Sequence, residues 1–314
     1  MSSNQPRPDY RKILAANDYV VLGQLGKGFQ GHVFRVRHPD RQQMALKIVD
    51  STSEVPEAHD RLRQEYDILK SSDSNINLLT AHDITYYDDK EENIQYIWFT
   101  MELCKGNLFE HIETIPLSER VKIAHGLLTT LAYLHRKRIS HRDIKLLNLL
   151  LDQTGRLKLG DFGTAKVIRR PVDQAGLSKP YLFGTTPYIA PELWRLIEPQ
   201  VPSTMNWFLS DEYATGICCY QILCKGKLPP RLESCLQNGD DSQAHQAMKN
   251  AHLAGVFWPV RVPEFPSKSL EQVDRVLQKM LATNPTSRYG NMTECALEMI
   301  TAFIHHGLMT AGVP

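Results

Sequence analysis

The chain has 314 residues, 42% of them hydrophobic and 23% charged, which is ordinary globular composition with apolar material for one large or two medium cores. Lys and Arg number 36 against 35 Asp and Glu, so a net charge of +1 gives no global field toward nucleic acid or an acidic membrane surface. The six cysteines lack the even spacing of a disulfide framework, and Cys218 and Cys219 are adjacent in an apolar stretch, which reads as buried reduced thiols.

Residues 1–17 are rich in Asn, Pro and Arg and read as a loosely held extension, with no apolar core for a signal peptide. From Asp18 to about Val49, the runs YVVLGQLG, HVFRVRH and QMALKIV, joined by turn signals such as Pro39-Asp40, predict an antiparallel meander. Residues 57–71 carry Leu62, Tyr66 and Leu69 at spacings of four and three, which predicts one amphipathic helix. A further strand is expected over 93–103.

After Gly106 the pattern turns helical. Over Leu117–Arg138, Val121, Ala124, Leu127, Leu128, Leu131 and Leu134 form one apolar stripe. Short strands are expected around 148–159, a polar segment over 164–187, and helices over 211–225 and 270–306. The simplest partition is an extension (1–17), a β-rich small lobe with its connector (18–104), a mainly helical large lobe (105–306) and a tail (307–314). No stretch is long and apolar enough to insert in a membrane. A soluble intracellular protein, cytoplasmic or nuclear, is the expectation.

Two patterns in the first lobe point to phosphate chemistry. In Leu25-Gly26-Lys27-Gly28-Phe29-Gln30-Gly31-His32-Val33, glycines at 26, 28 and 31 let backbone approach phosphates without Cβ atoms in the way. A plain glycine-rich turn fits equally well, whereas a dinucleotide site would need a helix where HVFRVRH reads as a strand. In Met44-Ala45-Leu46-Lys47, a lysine between apolar neighbours is costly to bury without a partner. Glu65 on the following helix is the candidate partner, an exposed lysine and a solvated glutamate being the bland alternative.

The second lobe carries His141-Arg142-Asp143-Ile144-Lys145-Leu146-Leu147-Asn148, then Asp161-Phe162-Gly163, then Ala190-Pro191-Glu192. With the glycine loop and Lys47, these five signatures stand in one order over Gly26 to Arg288, and the chain resembles the eukaryotic-type protein kinase family, serine/threonine branch. The resemblance implies an α+β bilobal fold, with a small antiparallel β-rich lobe bearing one main helix and a larger helical lobe. It also implies ATP with Mg²⁺, and protein substrates bearing Ser or Thr.

In that family's terms Asp143 is the base that orients the substrate hydroxyl, and Lys145 reaches the γ-phosphate; a lysine there marks the serine/threonine branch. Asn148 and Asp161 are the Mg²⁺ ligands. Met101 sits behind the adenine, and Glu102 and Cys104 offer connector backbone to its edge. Leu25, Val33, Ala45 and Leu150 sandwich the ring, and Asn107 falls near the ribose. Thr185 contacts Asp143 and Lys145, Asp211 and Gly216 open the central buried helix, and Glu192 pairs with Arg288.

The sequence departs from the family at the glycine-loop tip, where Gln30 rather than an aromatic precedes Gly31, and over Glu192–Asp211, a longer segment with Pro199, Pro202 and Trp207 that reads as a decorated loop or a docking surface. Arg142 beside the base hints at control by a phosphate on the activation segment, placed by an upstream kinase. Ser178, Tyr181, Thr185 and Thr186 are the candidates, Ser178 foremost. The chief rival reading is a pseudokinase scaffold, disfavoured because Lys47, Asp143, Asn148 and Asp161 are all present. A small-molecule kinase and a dinucleotide oxidoreductase fit less well.

Overall fold

The computed structural model of the chain describes residues 9–28, 31–39, 42–52, 57–72, 74–168, 186–195, 206–237, 241–265 and 268–310. Its contacts divide it into two compact units, Met1–Lys105 with Asp152–Thr154, and Gly106–Leu151 with Gly155–Pro314.

The first unit is built on five antiparallel strands, β1 (Val20–Gly28), β2 (Gly31–Arg37), β3 (Gln43–Asp50), β4 (Ala81–Asp89) and β5 (Ile94–Met101), in the order β1-β2-β3-β5-β4. The predicted meander is β1 to β3. Because side chains alternate across a sheet, the apolar run Met44–Val49 must be covered on both faces, and every residue of it is buried. One face is a core of Phe34, Val36, Met44, Leu46, Ile48, Tyr96 and Trp98.

That core is completed by a helix where the sequence suggested a loosely held extension. Helix α1 (Tyr10–Ala16) buries Ile13 and Leu14 in it, and the Asp9 side chain accepts from Arg11 N at 3.1 Å at the helix start. Tyr10 donates its hydroxyl to Asp50 and lays its ring 4.7 Å from His32. The correction has a tertiary cause: seven residues are too few to show periodicity, and Ile13 and Leu14 find their face only on the folded sheet. Across the sheet lies α2 (Ala58–Lys70), the predicted amphipathic helix, with Leu62, Ile68 and Leu69 buried.

The second unit has short strands β6 (Gly106–Asn107), β7 (Ile139–Ser140), β8 (Leu149–Leu151), β9 (Leu157–Leu159) and β10 (Lys166–Val167), paired as β6-β8-β9 and β10-β7. Its helices are α3 (Leu108–His111), α4 (Leu117–Arg136), α5 (Pro191–Arg195), α6 (Trp207–Leu223), α7 (Pro230–Glu233), α8 (Asp241–Ala254), α9 (Glu271–Met280) and α10 (Met292–His305). The whole predicted stripe of α4 is buried. The run expected to be mostly helical over 270–306 divides into α9 and α10, with a 3-10 turn at Pro285–Ser287 between them.

Helix α6 is buried on nearly every side, as an apolar helix without a polar face must be. Gly216 allows its close packing: a Cβ there would meet Leu281 Cδ2 at 2.9 Å and Met280 Cβ at 3.1 Å. Cys218 and Cys219 are buried thiols as expected, and burial pushes Cys219 up to about 12. In the core beside α8, burial pushes His252 down to about 4, and its Nδ1 lies 2.7 Å from the Tyr213 hydroxyl. Among the described residues no helix is long and apolar enough to cross a membrane.

Candidate active site

In the first unit, strand register places several predicted residues on one face. Val33 lies opposite Lys47, and Ala45 opposite Met101, while Ala45 and Lys47 are two apart on β3. Cross-strand partners share a face, so Val33, Ala45, Lys47 and Met101 are neighbours on the face opposite the α1 core. Glu65 comes to the same face from α2. Lys47 Nζ and Glu65 Oε2 are 2.6 Å apart, with the residues 6% and 2% exposed, so the lysine and the carboxylate neutralise each other out of water.

The glycine hairpin is the β1–β2 junction, where Gly28 pairs with Gly31 and Gly26 with Val33. Gly31 has φ +117°, and a Cβ there would meet Val49 Cγ1 at 2.6 Å and Ile48 O at 2.7 Å, so the fold itself requires glycine. Gly26 is different. Among the described residues a Cβ there would meet nothing closer than Val33 Cβ at 4.0 Å, so their packing does not demand glycine, and close approach of a ligand remains a reason for it.

The connector is tied at Glu102, whose N–H donates to Thr80 O at 3.0 Å and whose Oε1 accepts from Thr80 N at 2.7 Å. Gln153 Nε2 donates to Leu103 O at 2.9 Å. Leu25, Glu102 and Cys104 line a cavity of about 830 Å³, together with Arg35, Gln43, His82 and Asp152 among others. Val33, Ala45 and Met101 are not part of its lining; they lie in the sheet face described above.

In the second unit one buried carboxylate organises the loop after α4. Asp211 of α6 accepts from Ser140 Oγ, His141 N and Arg142 N, all at 2.8 Å, and from His135 Nε2 at 3.2 Å. Burial pushes its pKa up, but the bonds it accepts, that from His135 foremost, outweigh this and hold it below the ordinary range. Arg142 takes φ +70°, a conformation that a side chain bearing a Cβ keeps only when its surroundings fix it.

Beyond this anchor the predicted residues converge. Lys145 Nζ lies 2.7 Å from Asp143 Oδ2, and Asn148 Nδ2 donates to Asp143 O at 2.7 Å and to Oδ2 at 3.1 Å. Gly160 N donates to Asn148 O at 3.0 Å, which ties the backbone just before Asp161 to this group. His141 bridges the same elements, with Nε2 at 3.0 Å from Gly160 O and its ring 4.6 Å from the buried Phe162. The Asn148 amide spends its nitrogen on Asp143, leaving the carboxamide oxygen as the end suited to a hard cation.

Asn107 and Leu150 are cross-strand partners on β6 and β8. Asn107 also caps α3, accepting from Glu110 N at 3.1 Å and donating to Glu110 Oε1 at 2.8 Å. Thr185, Ser178 and Tyr181 lie outside the described residues, and Thr186 opens the 3-10 turn Thr186–Tyr188. The bridging role of His141, and His135 at the end of α4 as a fourth donor to Asp211, escaped sequence reasoning. His141 opens the signature run, but its contact to Gly160 is between distant segments, and His135 has no local signal beyond being a histidine near the loop.

Glu192 and Arg288 form a bidentate pair at 2.7 and 2.8 Å, and the guanidinium also donates to Ala282 O and Leu209 O. Glu192→Ala would leave a buried guanidinium without its counter-charge, at about 3–5 kcal/mol of folding stability. Urea unfolding should show a clearly lower midpoint, and an unchanged midpoint would count against the pair as an anchor.

An antiparallel five-stranded unit with a buried lysine–glutamate pair and a helical unit bearing this aspartate–lysine–asparagine loop together define a protein kinase domain. Residues 19–302 match the protein kinase domain family, and the chain belongs to it. It is 30% identical to the serine/threonine-protein kinase SIK2 of Gallus gallus, over 91% of this chain and 32% of that protein. It is 27% identical to serine/threonine-protein kinase akt-1 of Caenorhabditis elegans, over 93% and 49%. With serine/threonine-protein kinase grp of Drosophila melanogaster the figures are 29%, 86% and 48%. The chain thus spans about a third to a half of the length of these relatives.

Proposed function

We propose that the chain is an active protein serine/threonine kinase, transferring the γ-phosphate of ATP to Ser and Thr hydroxyls of protein substrates. The observation that carries this reading is the hydrogen-bonded group of Asp143, Lys145 and Asn148 held in place by Asp211. The substrate hydroxyl oxygen bonds to the γ-phosphorus as the bond to the β–γ bridging oxygen breaks and ADP leaves. Asp143 accepts the hydroxyl proton, and Lys145 offsets charge on the transferring oxygens. Lys47, steadied by Glu65, binds the α- and β-phosphates, and the amides around Gly26, Gly28 and Gly31 cradle them.

Asn148 and Asp161 supply the hard oxygen donors that Mg²⁺ prefers, and the free end of the Asn148 amide fits that role. When bound, the ion neutralises charge on the phosphates. The connector offers Glu102 O with the N–H and carbonyl of Cys104 to adenine, since Leu103 O is already engaged by Gln153. Leu25, Val33, Ala45, Met101 and Leu150 contact the ring, Asn107 the ribose, and Thr185 the Asp143–Lys145 pair. An intracellular signalling protein, acted on by an upstream kinase, is the setting this implies.

The test is transfer from γ-labelled ATP by purified protein onto mixed Ser, Thr and Tyr peptide libraries, with phosphoamino-acid analysis. Label on Ser and Thr is expected. Nucleotide binding without transfer would instead favour the scaffold reading.

A further inference from the structure

Trp207, which the sequence offered as part of a docking surface, is buried with Ile168, and residues 196–205 lie outside the described residues. Helix α1 has no part in the proposed chemistry either, yet it reaches the strand that carries the glycine hairpin. Side chains alternate along β2, so His32, Phe34 and Val36 share the face that α1 covers, and Val33 lies on the other. Pairing of β2 with β3 ends at His32, opposite Ile48, while its pairing with β1 runs on to Gly31, opposite Gly28. His32 is therefore where a three-stranded sheet becomes a two-stranded ribbon, which has little stability of its own. Tyr10 holds that point from the α1 side. Its ring lies 4.7 Å from the His32 ring and 6.1 Å from that of Phe34, within the range of favourable aromatic contact. Its hydroxyl donates to Asp50 Oδ2. Asp50 is 3% exposed, two residues beyond Ile48 on β3, and its other oxygen accepts from Thr52 N at 2.8 Å.

A buried carboxylate oxygen is costly to leave without a donor, so the Tyr10–Asp50 bond is a firm tie between α1 and the sheet. One side chain thus spans the base of the hairpin on β2 and the end of β3, the strand that bears Lys47. We infer that Tyr10 is a positioning residue for nucleotide, holding the β1–β2 ribbon at the angle where the amides around Gly26, Gly28 and Gly31 meet phosphate. The inference rests on the nucleotide site of the proposed kinase and adds that helix α1 sets its affinity for ATP. Without Tyr10 the ribbon takes other angles, and the apparent affinity falls by the fraction of molecules that keep the competent one. Saturating ATP draws the population back to that angle, so turnover of the bound enzyme is spared.

The test measures binding of ATP with Mg²⁺ to the full chain by titration calorimetry, beside initial rates on the best library peptide. Tyr10→Leu, which keeps an apolar contact with the core, should raise the Kd and KM for ATP about 5–20-fold, with kcat and the KM for peptide within about twofold. Tyr10→Phe keeps the ring on His32 and should recover part of the loss. His32→Ala should also weaken ATP binding, and the double variant Tyr10→Leu, His32→Ala should bind no worse than Tyr10→Leu alone, because that contact is already gone. A merely structural role would lower the melting temperature of Tyr10→Leu and leave ATP affinity as in wild type, which overturns the inference. Losses that multiply in the double variant overturn it too. Should Tyr10→Leu fail to fold, His32→Ala decides, since His32 lies on the face away from the proposed nucleotide; a wild-type Kd there overturns the inference. Wild type that binds ATP without transferring phosphate would remove the kinase reading while the Kd values still judge the inference. No ATP binding by wild type would remove both.

Discussion

Asp143→Asn is expected to lower kcat by about 10²–10⁴-fold while the KM for ATP stays nearly unchanged. Among the described residues the side-chain contacts to Asp143, from Lys145 Nζ and Asn148 Nδ2, go to one oxygen, Oδ2. An asparagine oxygen can accept both, so the loop keeps its shape and only the charge and the proton acceptor are lost. That loss is felt where the hydroxyl proton moves, in the transition state, rather than where nucleotide binds. Steady-state kinetics, with a thermal melt matching wild type as control, make the check. A variant with wild-type kcat would remove Asp143 as base. Asp211 shows the contrast: it commits both oxygens to donors from four residues, which is how an anchor and not a reactant uses a carboxylate.

What was legible in the sequence was what is local. The His141–Asp143, Asp161–Gly163 and glycine-loop signatures are short contiguous strings, and the α4 stripe repeats along one helix, so each carries its own signal. Strand β4 was missed because AHDITYYDD mixes charge into a strand at the sheet edge, where only one neighbour covers it. Helix α8 was missed because DSQAHQAMKNAHLA is mostly polar and buries little beyond Met248 and Ala251 among its apolar residues. Helix α1 and His135 on Asp211 make contacts between distant segments, and no spacing rule announces them. The Lys47–Glu65 pair, in contrast, was readable because an isolated charge in an apolar strand asks for a partner.

Lys47→Met is expected to reduce kcat/KM by about 10²-fold or more, since in the proposed role this cation acts on phosphate oxygens from a position shielded from water. The single variant alone is ambiguous, because it strands the Glu65 carboxylate in a nearly closed position, and lost folding could be mistaken for lost chemistry. The double variant Lys47→Met, Glu65→Leu separates the two. Replacing both members of a buried ion pair with apolar side chains is often neutral or stabilising, so the melt should return to about the wild-type value. Activity should not return, because no apolar pair can neutralise phosphate charge. Thermal unfolding and peptide phosphorylation measured on the same preparations decide it. Recovery of activity together with stability would mean that Lys47 only holds the sheet to α2, and the phosphate-binding role would then fall to other residues.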